Sequence, residues 1–582
     1  MAVENLITEH IDIWTSAEKT RSTSGRGSSK KLELYGVKKL RELILELAVR
    51  GKLVPQDPND EPASVLLERI AAEKTQLVKE KKIKKQKALP EVTEQEAPFN
   101  VPKGWEWTRL GNLSSDIHYG YTASAKPNSE GVRLLRITDI QNDKVNWGTV
   151  PACDITEEKA KSYLLENDDI LIARTGGTIG KSYLVENIDL QAVFASYLIR
   201  VKRVQAVYAP FTKVFLGSQL YWKQLIENSA GTGQPNVNAT ALKQLLFIVP
   251  PFNQQKRIVA KVDELMALCD QLEQQTEASI EAHQVLVTTL LDTLTNSADA
   301  DELMQNWTRI SEHFDTLFTT EESIDQLKQT ILQLAVMGKL VSQDPNDEPA
   351  SELLKRIAEE KAQLVKEKKI KKQKALPPIS EDEKPFELPS GWEWCYLQDL
   401  FSVVTDGDHQ APPKSDEGTP FLVIGNLNTG HIQFEGCNYV PAQYFDKLDW
   451  TRQPSKGDLL YTVTGSYGIP ILVTEDVPFC VQRHVAILNS TADTPVEYIQ
   501  YVLRSKYSFD FATSVATGIA QKTVPLTGLR KMPIPLPPLK ERSEILQMIA
   551  TLIGVCEQLK VSIRDSQTNQ LHLTDAIVEQ VV

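Results

Sequence analysis

The sequence predicts a mixed α+β protein in which two α/β domains alternate with long helices, the helices folding back as an antiparallel coiled coil about a pseudo-two-fold axis. Three observations carry this expectation. One segment is written twice, a heptad seam follows each of two Pro-Pro pairs, and short β-type runs broken by turns fill the stretches between. At 582 residues the chain has room for several packed units.

The repeat comes first, because it sets the architecture. Gly51 to Pro90 recurs as Gly338 to Pro377, 287 residues later, with five differences in forty positions. The same shift links Gly104-Trp105-Glu106-Trp107 to Gly391-Trp392-Glu393-Trp394, Pro250-Pro251 to Pro537-Pro538, and Cys269 to Cys556. Near the start, Ile7 to Asp12 resembles Ile310 to Asp315 at a shift of 303; the extra residues correspond to a Ser/Gly/Lys-rich linker around Ser22 to Lys31.

Within each copy, Leu40, Ile44 and Leu47, matched by Leu327, Ile331 and Leu334, predict a short amphipathic helix stopped at Gly51 or Gly338. A charged helix follows Pro62 and Pro349 and closes with the lysine run KEKKIKKQK, Lys79 to Lys87 and Lys366 to Lys374. After Pro251 the apolar positions Ile258, Val262, Leu265, Cys269 and Leu272 step as a coiled-coil seam, as do Ile545, Ile549, Leu552, Cys556, Leu559 and Ile563. Two such seams in one chain most simply bury each other. A single helix from Asn253 to Leu294 is about 60 Å long.

The stretches between are divergent and strand-like: Val132 to Ile137, Ile170 to Ala173 and Tyr197 to Val201, with helices near Gln219 to Glu227 and Val496 to Arg504. The expected division is residues 1–104, 105–250, 251–390, 391–538 and 539–582, with the second and fourth segments as the variable domains.

Composition narrows the chemistry. The six cysteines contain no C-x-x-C pair and the eight histidines show no metal-ligand spacing, so no metal site is expected and the thiols read as reduced and cytoplasmic. No uninterrupted apolar run approaches bilayer-spanning length. The net charge of -13 argues against gripping nucleic acid by charge alone.

Two motifs invite a catalytic reading. Ala173 to Tyr183, ARTGGTIGKSY, suggests a phosphate-binding loop, but the first glycine of that motif would fall at position 175, which is Thr175. Its counterpart, Gly465 to Gly468, keeps the glycines and has no lysine, so the shared feature is a Gly-x-x-Gly turn after a strand. Val249-Pro250-Pro251-Phe252 suggests an adenine methyltransferase, but Val249 replaces the polar residue that would hold the amino group; a helix-initiating proline pair accounts for it. The lysine runs contact DNA phosphates or solvate a helix end, and the paired tryptophans are expected to close a core.

Pro-x-Gly-Trp-Glu-Trp opening each variable domain, Asp-Ile/Leu-Leu followed by a Gly-x-x-Gly turn, and Pro-Pro leading into a heptad helix occur twice in this order. The pattern resembles the specificity subunits of Type I restriction-modification systems over essentially the whole chain. The Glu-Gln that the family often shows after Pro-Pro-Leu-x is Gln254-Gln255 and Glu541-Arg542 here. The resemblance implies a non-catalytic subunit whose two target-recognition domains each read half of an asymmetric, interrupted double-stranded DNA site. Its helices would dock two methyltransferase subunits and restriction/translocase subunits. No cofactor is expected in this chain; S-adenosylmethionine, ATP and magnesium would be used by the partners.

Residues 105–250 hold 15 Lys+Arg against 14 Asp+Glu, and residues 391–538 hold 10 against 15. Neither domain is a basic clamp, so recognition is expected to rest on base-edge hydrogen bonds from turn residues. In the first domain the candidates are Tyr121, Thr122, Lys126, Arg174, Thr175, Lys181, Ser196, Gln234, Asn236 and Asn238. In the second they are His409, Lys414, Asn426, Thr464, Ser466, Tyr467, Arg483, His484, Gln521 and Lys522. The alternatives are a nucleotide-dependent enzyme built on Gly176 to Ser182 and a protein-only coiled-coil scaffold.

Overall fold

The computed structural model describes residues 3–21, 31–127, 130–227, 236–409, 412–519 and 521–581; linker residues 22–30 and Gln234 lie outside them. The chain forms two compact units, Met1–Ser279 with Ser566–Val582, and Ile280–Asp565.

In the first unit the helix Tyr35–Val49 buries Val37, Leu40, Leu43, Ile44 and Leu47 on one face. It stops where Gly51 turns at φ 70°, and the Lys52 N–H closes the last turn on the Leu47 carbonyl at 2.9 Å. Arg41 on its outer edge pairs with Asp270 and Glu273 of the long helix Phe252–Thr295, at 2.6 and 2.7 Å. Tyr35 donates to Asp575, near the end of the second long helix, Leu539–Val581, at 2.8 Å.

The variable domain of this unit is closed by its own entry and exit. Strand Glu106–Arg109 pairs antiparallel with Leu246–Val249, so the chain leaves beside where it came in, and the long helix starts directly after the proline pair. Trp105, buried at the junction, donates its indole N–H to Gln254 at 2.9 Å. The core is a four-stranded antiparallel sheet in the order Ser114–Tyr119, Leu198–Arg203, Ile170–Ala173, Ser182–Leu184. A short parallel pair, Arg133–Leu135 with Ala192–Phe194, lies beside it.

The second unit repeats the plan. Glu393–Tyr396 pairs with Pro533–Leu536, and Trp392 donates to Glu541 at 3.0 Å. Its four-stranded sheet runs Val403–Asp406, Val485–Asn489, Leu459–Thr462, Pro470–Leu472, with a three-stranded sheet of Asn438–Val440, Thr419–Leu422 and Cys480–Val481 beside it. The residue after Pro-Pro-x-x thus receives a buried indole N–H whether it is Gln254 or Glu541, which accounts for the constant link between the Gly-Trp-Glu-Trp and Pro-Pro motifs.

Helix directions in this unit can be followed from their pairings. Gln284 meets Glu322 and Thr288 meets Gln326, so the end of the first long helix runs parallel to Glu321–Val336. Arg564 meets Glu321, Lys560 meets Asp325 and Glu557 meets Lys328, so the second long helix runs antiparallel to it. The two long helices are therefore antiparallel to one another. Val287, Leu291 and Leu294 share one core with Ile324, Leu327, Ile331 and Cys556, against which Leu552, Leu559 and Ile563 pack. The seam is completed by a third helix, because the short amphipathic helix also carries an apolar stripe that must be buried.

By length and composition alone the helix Leu539–Val581 is apolar enough to cross a bilayer. Glu557 and Lys560 within its apolar stretch are instead ion-paired to Lys328 and Asp325, and Ile545, Ile549 and Cys556 are buried. The lysine runs depart from expectation: the charged helices end at Lys79 and Lys366, before most of each run. Lys81 at φ 59° and Lys368 at φ 56° turn the chain out of the helix, and the rest of each run has no regular secondary structure.

Candidate nucleic-acid interface

In an antiparallel sheet the ends of two outer strands meet the start of the strand between them. In the first unit this brings together the turns after Tyr119 and Ala173 and the turn before Leu198. Arg174 lies at the centre. Its guanidinium covers the Tyr119 ring at 4.7 Å, its backbone N–H donates to Tyr197 at 3.1 Å, and its carbonyl accepts from Val237 at 3.0 Å. Ser196 offers its carbonyl to the guanidinium, and Thr175 bridges to Asn236. Among the described residues the buried Arg174 Nε and Asn236 Oδ1 have no hydrogen-bond partner. An uncompensated buried polar atom costs about 1–3 kcal/mol. Asn238 is committed otherwise, its Oδ1 capping helix Ala239–Gln244 through Ala241 N–H at 2.8 Å.

The Gly-rich turn belongs to the same end of the sheet. Gly176 and Gly180 take φ of 73° and 81°, and the N–H groups of Ile179, Gly180 and Lys181 bond to Gly176, Ala173 and Thr178 within the turn. A phosphate cradle needs such N–H groups free and a helix behind them. Here strand Ser182–Leu184 follows, so the turn is a hairpin connection and the nucleotide-enzyme alternative has no site on it. Lys181 stands exposed at its rim with no ion pair among the described residues.

The second unit builds the same end with other side chains. Thr464 and Thr523 bridge and share a hydroxyl contact of 3.2 Å, while Gly465 N–H donates to the Lys522 carbonyl at 3.0 Å. Ser466, Gln521 and Lys522 are exposed, and Gln521 reaches over Gly465. Tyr467 bonds to Thr513 at 3.0 Å and stacks on Phe509, centroids 5.6 Å apart at 6°. Val463 N–H donates to His484, beside exposed Arg483; burial and the neighbouring guanidinium hold the His484 imidazole below its ordinary pKa. His409 joins this end through its contact with Asp406 at 2.9 Å.

Other candidates stand apart or serve the fold. Tyr121 packs on Tyr163 with centroids 5.5 Å apart, and Lys126 pairs with Asp154 at 2.5 Å. Buried Asn426 accepts from Val423 N–H at 3.1 Å and closes its own turn. Thr122 and Lys414 are exposed. Sequence reasoning missed Tyr119, which backs Arg174, together with Tyr197 and Phe509, 65% and 47% exposed at the sheet ends. The signal for Tyr197 was its place beside Ser196; Phe509 sits on a helix far along the chain and had none.

At the end of each sheet opposite the interface a buried carboxylate holds the strands. Asp169, of the Asp-Ile-Leu motif, accepts from Glu166 N–H at 3.0 Å and pairs with Arg200 at 3.2 Å, both side chains nearly inaccessible. Burial raises the Asp169 pKa, the Arg200 charge opposing it. Arg200 also donates through its two terminal nitrogens to the carbonyls of Leu164 and Ser162 and contacts His118, while its buried Nε has no partner among the described residues. In the second unit Asp458 accepts from Ser455 and Ser490 N–H at 2.9 and 2.8 Å. The shared aspartate is therefore a turn clasp, not a catalytic acid.

The family described as Type I restriction modification DNA specificity domain matches residues 102–282 and 389–565. The Type I restriction enzyme EcoEI specificity subunit of Escherichia coli is 42% identical across 100% of this chain and 99% of its own length. The EcoAI specificity subunit of Escherichia coli is 40% identical across 100% of both. A solved chain from work on complex assembly and conformational transition of a type I R-M system aligns with a TM-score of 0.47 at 18% identity, covering 83% of this chain and 99% of that one. With one scaffold written twice, two variable domains presenting different side chains from the same sheet end, and similarity running the full length, the chain belongs to the family of Type I restriction-modification DNA specificity subunits, the non-catalytic component that carries DNA recognition.

Proposed function

We propose that each variable domain reads one half of an asymmetric, interrupted double-stranded DNA sequence through the turns at the end of its four-stranded sheet. The repeated helices dock two methyltransferase subunits and, with them, restriction/translocase subunits. One observation carries the reading: in both units the turn after an inner strand of the sheet is bridged to a later segment of the chain, Thr175 to Asn236 and Thr464 to Thr523, yet that shared place is filled with different polar side chains, Arg174, Thr175 and Asn236 in one and Thr464, Gln521 and Lys522 in the other. Different side chains on one geometry select different bases.

Docking is supported by apolar residues left exposed on the long helices, Leu268, Val285 and Leu286 on the first and Met548, Val555 and Val561 on the second. S-adenosylmethionine, ATP and magnesium are used by these partners, and the complex works in the cytoplasm. Because neither domain is strongly basic, the isolated chain binds DNA weakly and tight binding appears with the methyltransferase.

The test is co-expression with the cognate methyltransferase subunit and genome-wide mapping of methylated adenines. An interrupted two-part motif is expected, and exchanging residues 105–250 for those of a relative changes one part. A change in both parts refutes the two-reader assignment.

A further inference from the structure

Each lysine run folds as a strap along an edge of its own domain's sheet. In the second unit the strap leaves helix Ala350–Lys366 at Lys368, and Ile370 is buried beneath it. Gln373 donates to the Ser402 carbonyl at 3.0 Å, and Trp450 donates to the Lys369 carbonyl at 3.1 Å. In the first unit Gln86 makes the equivalent bond to Ser115 at 2.7 Å, and Lys81 makes the equivalent turn. The strap is thus held by its amide and apolar side chains, which leaves the ammonium groups outward. Lys82 and Lys369 pair with Glu80 and Glu367, while Lys84, Lys85, Lys87, Lys371, Lys372 and Lys374 are exposed and have no ion pair among the described residues.

In the second unit the strap and the sheet edge enclose a cavity of about 660 Å³. Lys368, Lys371, Lys374, Arg452, Arg530 and Lys531 line it, with Asp449 the one carboxylate. Arg452 and Arg530 are fixed by the carbonyls of Gly407 and Val404, at 2.9 and 2.6 Å. Arg452 joins the cavity to the turn that carries His409, since Gly407 lies between that turn and the edge strand. A chain of net charge -13 therefore holds exposed lysines along the edge of each sheet, and in the second unit that edge leads to the candidate base-reading end.

We propose that the straps bind the phosphodiester backbone of the DNA beside each half-site and read no bases. The inference rests on the assignment of the sheet ends to DNA. Its own support is that KEKKIKKQK is identical in the two halves whereas the turns at the sheet ends differ. Phosphates are the part of a bipartite site that is the same on both sides, so a phosphate binder has reason to be repeated unchanged.

The experiment uses the full chain assembled with its methyltransferase, a duplex carrying the mapped methylation motif, and an unrelated duplex. Two triple variants are compared with wild type, Lys84, Lys85 and Lys87→Gln, and Lys371, Lys372 and Lys374→Gln. Removing one lysine–phosphate pair flattens the plot of log affinity against log salt by about 0.9, so removing three weakens binding roughly 100-fold near physiological salt. Both duplexes are expected to lose affinity by the same factor, leaving their ratio unchanged, and the corresponding Lys→Arg variants keep the wild-type slope. An unchanged slope overturns the proposal, including the case where the Gln variants lose the methyltransferase on purification and the straps prove to be a protein-docking surface. A weakening confined to the motif duplex also overturns it. If wild type itself fails to prefer the motif duplex, the assignment of the sheet ends has failed; if wild type discriminates and only the slope test fails, the straps alone are misassigned.

Discussion

Three glycines in the hairpin turn of the first domain make a graded test of what that turn is for. At Gly177 an added Cβ meets nothing within 4 Å and the backbone φ is ordinary, so Gly177→Ala should range from neutral to about 1 kcal/mol more stable through the stiffer unfolded chain. Gly176 also has open space but a φ of +73°, so Gly176→Ala carries only the left-handed strain, about 1–2 kcal/mol. Gly180 has both problems, a φ of +81° and a Cβ position 2.1 Å from Leu225 Cδ2 and 2.8 Å from Trp222 Cζ3. Adding about 1–3 kcal/mol for overpacking gives roughly 2–5 kcal/mol for Gly180→Ala. Urea unfolding of the purified chain measures the series as displacement of the midpoint of the domain's transition; with a slope of about 1–3 kcal/mol per molar, the Gly180 variant shifts by roughly a molar unit or more. Equal costs at Gly177 and Gly180, or no cost at Gly180, would refute the packing account. A Lys181-dependent rise in stability on adding ATP would refute the assignment of the turn as a mere hairpin.

Three other outcomes follow from the same geometry. Glu541 is buried against the Trp392 and Gln343 donors, and burial raises its pKa above the ordinary carboxylate range. Its contribution to stability is therefore full below the unfolded-state pKa and is lost as pH rises through the raised folded value. Glu541→Gln, which copies Gln254 of the first unit, should remove that part of the pH dependence and leave the chain equally or more stable at pH 7, measured by denaturation across pH 4 to 8. Arg200→Ala strands Asp169 in the sheet and should cost about 3–5 kcal/mol, whereas the double change with Asp169→Asn should cost less than the sum of the two singles in a double-mutant cycle. Arg174→Ala should weaken DNA binding of the assembled complex by about 1–3 kcal/mol and relax discrimination in one half of the motif only, read by competition with duplexes altered in each half.

The repeat, the helices and the closing motifs were legible in the sequence for a physical reason. Heptad spacing, a glycine stop and a proline start are local signals, so the helix expected at Asn253 to Leu294 is observed at Phe252–Thr295, and Val496–Arg504 is a helix as read. The lysine runs were misplaced as helix ends because lysine has good helix propensity. What ends the helix is tertiary: Ile370 and Gln373 are drawn onto the sheet edge, and Lys368 takes a left-handed turn to allow it.

The sequence by itself determined that this is one scaffold used twice, with variation confined to two domains, because a repeat is visible without any geometry. Tertiary structure decided which residues face a ligand together. Arg174 and Ser196 lie on separate turns and meet because antiparallel strands return to one end, and Asn236 joins them through its bridge to Thr175, while Lys126, Tyr121 and Asn426, polar turn residues of the same outward type, are drawn into an ion pair, a ring contact and a turn closure. Side-chain chemistry was local information; the meeting of three turns was set by strand pairing over long sequence distance.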